Sequence, residues 1–234
     1  MTLDDMVNAA SIFLNEKYPK FTLNTERINV ILNLTNLDFF KLWTGLPEEW
    51  MPGKPVTKRG WQVNRHNTEA LKTFQVTNQT ANVVQSTGAL PFGTLAYPSD
   101  MVHVTRLGYY NTQTSRYRPV EILEDEELDD VLGDAIVAPA LEYPVATYQN
   151  TGFNIYPGTI QIMSLSYLRL PVTPVYATIQ VGPINAYDPT NSIQIEWPTY
   201  LYNDFLNLFL KYIGEAAKSP DMVQLSELRN KEGV

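Results

Sequence analysis

Two apolar runs late in the chain, Gly152–Pro171 and Ser192–Trp197, are rich in strand-forming residues and lead into an aromatic helix opening at Pro198. In FNIYPGTIQIMSLSYLRLPVTP, Tyr, Ile and Leu recur at alternate positions, the period that turns one face of a strand toward a core. The helix TYLYNDFLNLFLKYIG carries one stripe of Leu201, Phe205, Leu208 and Tyr212 and a second of Tyr202, Phe209 and Ile213. One buried face needs one stripe, so the second predicts a contact with a partner. Pro198 suits a first helical position, where its missing N–H costs nothing, and Gly214 and Pro220 weaken the far end.

The front of the chain has helical spacing. Thr2 is placed to cap a helix with Asp4 and Asp5 in its first turn, followed by Leu3, Met6, Val7, Ala10, Phe13 and Leu14, with Pro19 as a stop. Asn24 caps a second helix to about Trp43, with Ile28, Ile31, Leu32 and Phe39 on one face and Gly45 and Pro47 ending it. Residues 46–60, punctuated by Pro and Gly, form a long connection, and a third helix is predicted between about Gly60 and Val76.

Period two then takes over. Met101, His103, Thr105 and Leu107 alternate with Val102, Val104 and Arg106, predicting a half-buried strand and a hairpin through Asn111–Ser115 to Tyr117–Leu123. The acidic run reads as a short helix with Leu128, Val131 and Leu132 on its apolar side. Strands follow near Pro144–Gln149, Gly152–Tyr156, Thr159–Leu170, Val175–Val181 and Ser192–Glu196. The predicted architecture is α+β: N-terminal helices (1–98, with the long loop), an antiparallel sheet or small sandwich (99–197), and a C-terminal helix and tail (198–234) packing back on the helical layer, all as one structural unit. A length of 234 residues suffices for such a core.

The net charge of −8 is unevenly spread. Residues 1–98 carry +1, 99–198 carry −8 and 199–234 carry −1. The acids concentrate at Glu124, Asp125, Glu126, Glu127, Asp129 and Asp130, and the bases at Lys54, Lys58, Arg59, Arg65 and Lys72. Overall acidity argues against wrapping nucleic acid through its phosphates. With no Cys there is neither a disulfide framework nor a thiolate metal site. The acidic N-terminus lacks a signal-peptide pattern and no run of about 18 apolar residues occurs, so a soluble, non-secreted chain is expected. The sequons at Asn33 and Asn78 are then chance matches.

Reactive constellations are scarce. No Gly-rich phosphate loop, dinucleotide fingerprint, Gly-x-Ser-x-Gly elbow or His-Glu-x-x-His occurs, and the two His, His66 and His103, have no neighbours that nominate a triad. The acidic run fails as a calcium loop, because Asp130 stands at the sixth position where Gly is needed. Two carboxylates spaced for glycoside hydrolysis are too permissive a criterion among twenty-five acids. Its two remaining readings are a solvated helix face and, functionally, a negative rim or pore lining that repels DNA. Trp43 reads as helix core, while Trp50, Trp61 and the Tyr residues pin a loop or supply a sugar- or peptide-stacking platform.

LNLTNLDFFKLWTGLPEEWMPGKPV, LAYPSDMVHVTRLGYY, and FNIYPGTIQIMSLSYLRLPVTPVYA followed by IEWPTYLYNDFLNLFLKYIG together resemble virion neck proteins of crAss-like and related Bacteroidetes-infecting phages. The likeness spans most of residues 22–214 and lies in structural punctuation, so it implies a family and no active site. It implies a head-to-tail ring or adaptor, twelve-fold beneath the portal, in the virion and in host cytoplasm during assembly. Portal and other neck or tail proteins are the implied partners; DNA passes without specific binding, and no cofactor, enzymatic activity or membrane is involved.

A head-to-tail ring needs two complementary faces on each subunit. The candidates are Lys54, Lys58, Arg59 and Arg65 against Glu124–Asp130 of a neighbour, with Tyr202, Phe209 and Ile213 in the same junction. The polar tail, residues 219–234, reads either as a segment ordered on docking or as simple disorder. The alternative function is a carbohydrate- or receptor-binding module of a phage tail with contacts at Trp50 and Trp61.

Overall fold

The computed structural model describes residues 2–17, 23–44, 69–86, 92–111, 116–134 and 138–217. The chain is α+β and forms two compact units, one nested in the other along the sequence. Residues 74–170 make a β unit, while residues 1–73 and 171–234 together make a helical unit.

In the helical unit, α1 (Leu3–Lys17) and α2 (Thr25–Thr44) begin where the caps predict. The Asp5 N–H donates to Thr2 Oγ1 at 3.2 Å and the Thr2 N–H to Asp5 Oδ2 at 2.7 Å, a reciprocal cap. The Arg27 N–H donates to Asn24 Oδ1 at 3.0 Å. A turn of 3₁₀ helix, Thr199–Leu201, leads into α4 (Tyr202–Ala216), which packs back on α1 and α2. Pro198, expected at the first helical position, is extended (ψ 144°) and caps this turn, which begins one residue later at Thr199.

Phe39 is the centre of this unit. Its ring meets Trp197 edge-on at 4.8 Å, Phe205 at 5.6 Å and Trp43 at 6.1 Å between centroids. Burying each such aromatic is worth roughly 1.5–3 kcal/mol. The strand expected at Ser192–Glu196 does not form: only Ile193 bridges, to Val175, and Trp197 is an anchor inserted beside α2.

Two asparagines seven residues apart on α2 hold the incoming segment. Asn29 Nδ2 donates to the Tyr176 carbonyl at 3.1 Å and its Oδ1 accepts from the Tyr176 N–H at 2.7 Å. Asn36 Nδ2 donates to the Val172 carbonyl at 3.1 Å, and its Oδ1 accepts from Trp197 Nε1 at 2.9 Å. Seven residues are close to two helical turns, so both amides lie on one face and bond an extended chain running antiparallel to the helix. That segment continues into a two-stranded hairpin, β10 (Thr178–Val181) and β11 (Ile184–Tyr187). Gly182, at φ +64°, and Pro183 form its two-residue turn, the order of a type II′ hairpin.

β structure begins at Gln75, inside the region 1–98 expected to hold the N-terminal helices and the long loop. The predicted third helix survives among described residues only as Glu69–Ala70 and a 3₁₀ turn, Leu71–Phe74. One sheet has the order β1 (Gln75–Asn82), β9 (Ile162–Arg169), β4 (Met101–Asn111), β5 (Arg116–Pro119). The second runs β2 (Val84–Gln85), β3 (Gly93–Ala96), β8 (Gly152–Tyr156), β7 (Val145–Tyr148), β6 (Glu121–Leu123). The sheets share one core, with Leu107, Tyr109, Met163 and Leu165 from the first and Leu95, Ala146, Phe153 and Ile155 from the second, which makes a small sandwich.

All pairs are antiparallel except β6 with β7, joined by a crossover through α3 (Asp125–Gly133). The expected alternation along β4 does not hold. Register shifts after Met101 and after Val104 each insert a residue, so Met101, Val104 and Leu107 turn inward while His103 and Thr105 are exposed. Gly152 lies so close to β3 that a Cβ there would stand 2.2 Å from the Leu95 carbonyl oxygen.

Candidate interaction surfaces

The acidic run forms α3, nucleated by a capping box between Glu124 and Glu127 and favoured by carboxylates at the positive end of the helix. Leu128 is buried with Val145 and Tyr156, and Leu132 packs against them. This fixes the opposite face. Glu124, Asp125, Glu126, Glu127, Asp129 and Asp130 are all exposed, and among the described residues none has an ion-pair partner. Burial raises the Tyr156 phenol, and the charges of Asp125 and Asp129 raise it further. α3 follows β6 directly, and Leu128 and Leu132 anchor its apolar side, so six exposed carboxylates are gathered on one short helix and its cap.

The expected partner stripe on α4 is not available. Phe209 and Ile213 are 0% exposed, and Tyr202 is half-buried. A helix that packs on two others needs apolar residues on two sides, and this uses up the surplus. The residues of α4 that stay exposed are Asn203, Asp204, Glu215 and Ala216, and just ahead of it Tyr200 is exposed. Lys54, Lys58, Arg59, Arg65, Trp50, Trp61 and His66 lie outside the described residues, as does the tail from residue 218; Lys72 is exposed.

Two hollows open in the β unit. One, of about 570 Å³, is lined by Tyr109, Tyr110, Asn111 and Met163, and the Tyr109 hydroxyl donates to the Leu141 carbonyl in its wall. The other, of about 700 Å³, is lined mainly by Pro119, Val120, Leu123, Val131 and Val145. Arg118 and Glu142 face each other at its edge at 3.8 Å. His103 is exposed on β4, and no group of three His, Asp or Glu among the described residues is placed to hold a metal ion.

Two tyrosine–aspartate pairs order the helical unit. Tyr212 donates to Asp38, which pushes the phenol up to about 12 and lowers the carboxyl. Tyr176 donates to Asp4 at 3.1 Å; burial, then Asp4, raises it to about 12. These are structural ties.

The single strand expected at Val175–Val181 is instead the first arm of a hairpin, β10–β11. Gly-Pro between Val181 and Ile184 is the signal that marks it. Ile179 and Val181 are 52% and 60% exposed. Neither protein families nor curated proteins yield a match to this chain. Among the described residues no helix is long and apolar enough to cross a membrane.

Proposed function

We propose that the chain is a structural subunit of a phage neck, a ring protein that joins portal to tail and extends the DNA channel. The observation that carries this is α3: a capped helix anchored by Leu128 whose run Glu124–Asp130 leaves six carboxylates exposed, with no ion-pair partner among the described residues. Repeated around a ring, such a face gives a lumen of one sign. It repels phosphate over about a Debye length, 8–10 Å, so DNA slides without sticking. The resemblance over residues 22–214 supports the same reading, with a twelve-fold ring, the portal as neighbour and no cofactor.

Imaging of the purified chain by negative stain with class averaging, alone and mixed with the portal protein of the same genome, tests it. A closed ring or a portal complex is the expected result. If neither forms, the reading falls, and glycan screens take up the carbohydrate- or receptor-binding alternative. The charge argument has its own test: neutralising Glu124, Glu126, Asp129 and Asp130 slows DNA passage, and unchanged infectivity of such a phage counts against it.

A further inference from the structure

We infer that the hollow where β4 and β9 part binds a neutral saccharide of one or two rings. The site lies within the β unit alone, so it does not depend on ring assembly, and its contacts are other residues than Trp50 and Trp61.

The opening comes from the strand ladder. β4 pairs with β9 as far as Gly108 and Ser164, and the next pair in that register, Tyr110 with Ile162, is missing. Along an antiparallel strand the main-chain groups of successive residues point to alternate sides. The Leu107 carbonyl accepts from the Val120 N–H beside β5 at 2.9 Å, so the main-chain groups of Gly108 and Tyr110 point toward β9. The Gln161 carbonyl accepts from the Val83 N–H beside β1 at 2.8 Å, so those of Ile162 and Ser164 point toward β4. Gly108 meets Ser164, while Tyr110 and Ile162 each turn a donor and an acceptor into the hollow of about 570 Å³.

The side chains around it are uncharged. Gln161 is exposed at the rim, Thr80 and Ser164 share the outer face of the sheet with Tyr110, and Asn111 is buried at the inner end. The Tyr110 side chain is 58% exposed. Among the described residues that line the hollow there is no Asp, Glu, Lys, Arg or His.

This lining selects the ligand. A charged group would lose water and find no counter-charge, and a purely apolar one would leave the main-chain groups of Tyr110 and Ile162 without partners. A sugar hydroxyl both donates and accepts, which suits main-chain groups, amides and hydroxyls alike, and the C–H face of a pyranose stacks on an exposed Tyr ring. Shape excludes an extended peptide. The opening is a wedge that closes at Gly108 and Ser164, so a further strand has no room to run between β4 and β9. The volume is that of a small-ligand site.

The full-length chain is titrated by calorimetry and by saturation-transfer NMR with lactose, maltose, cellobiose, mannobiose and diacetylchitobiose, and for comparison with glucose 6-phosphate and adenosine. At least one neutral disaccharide is expected to bind saturably below about 10 mM, with the phosphorylated sugar weaker by roughly tenfold or more. Tyr110→Ala and Gln161→Ala, both at exposed positions, are expected to weaken that binding about tenfold and about threefold at unchanged melting temperature. Tyr143→Ala, at an exposed tyrosine outside this hollow, is expected to leave it unchanged. No saturable binding by any of the five sugars overturns the inference, as does tighter binding of adenosine. Sugar binding that neither Tyr110→Ala nor Gln161→Ala weakens overturns it too, and its loss in Trp50→Ala or Trp61→Ala would then move the contact to those residues. Ring formation is read separately: rings without sugar binding remove only this site, and sugar binding without rings removes only the neck reading.

Discussion

The two units achieve order by different means. In the helical unit, polar side chains inside the structure select the arrangement: Asn29 and Asn36 bond the backbone of residues 172–176, and Tyr212 and Tyr176 bond Asp38 and Asp4. In the β unit, shape does this work, through Phe153 in the core between Tyr97 and Tyr148 and through Gly152 against the backbone of β3. Directional bonds specify partners singly and each is worth about 1 kcal/mol net, whereas packed aromatics are worth more but tolerate rearrangement. The difference teaches that the helical unit is specified atom by atom and the sandwich by volume.

Aromatic truncation is the strongest way to break the comparison. Phe153→Ala and Phe39→Ala are each expected to cost about 3–5 kcal/mol. Hydrogen exchange read by peptide should place the loss in residues 74–170 for the first and outside them for the second. Uniform loss across both would show that the units do not unfold separately. Next, Gly152→Ala forces β3 and β8 apart, at about 1–3 kcal/mol, with faster exchange confined to the sandwich in the same measurement. Asn36→Ala removes one buried and one part-buried hydrogen bond and is expected to cost roughly 1–3 kcal/mol in denaturant titrations, with exchange rising at residues 171–176.

The smallest effect sharpens the comparison by pH. Tyr176 and Tyr212 titrate near 12 when folded, above the ordinary value of 10.0. Their contribution is whole below pH 10 and is lost as pH rises toward 12, because the unfolded chain releases the proton first. Tyr176→Phe should therefore flatten the alkaline decline in melting temperature. A decline of unchanged slope would assign the loss to Tyr212 or to the raised tyrosines of the sandwich instead.

Local chemistry was legible where it acts alone. The caps Thr2 and Asn24, the short helix of the acidic run and the full extent of β8 are legible, since each depends on neighbours in sequence. β1 was not, because an edge strand has little core to face and QVTNQTAN shows no apolar alternation. β4 misled, since its two bulges reset the alternation that its residues display. Trp197 looked like the end of a strand until α2 supplied Asn36 as its partner. Of the candidate surfaces, the acidic face was legible from its charge and from Leu128. Phe209 and Ile213 were misread, because a stripe does not reveal whether a second helix of the same chain covers it.

The nesting of the two units has a consequence for how the chain is made. A ribosome emits the whole sandwich in one stretch, closing with Leu170, but the helical unit arrives in two instalments. Throughout the synthesis of residues 45–201, the face of α2 around Phe39 waits for a helix that has not yet been translated. That interval, set by translation speed, is when the nascent chain is most open to wrong partners.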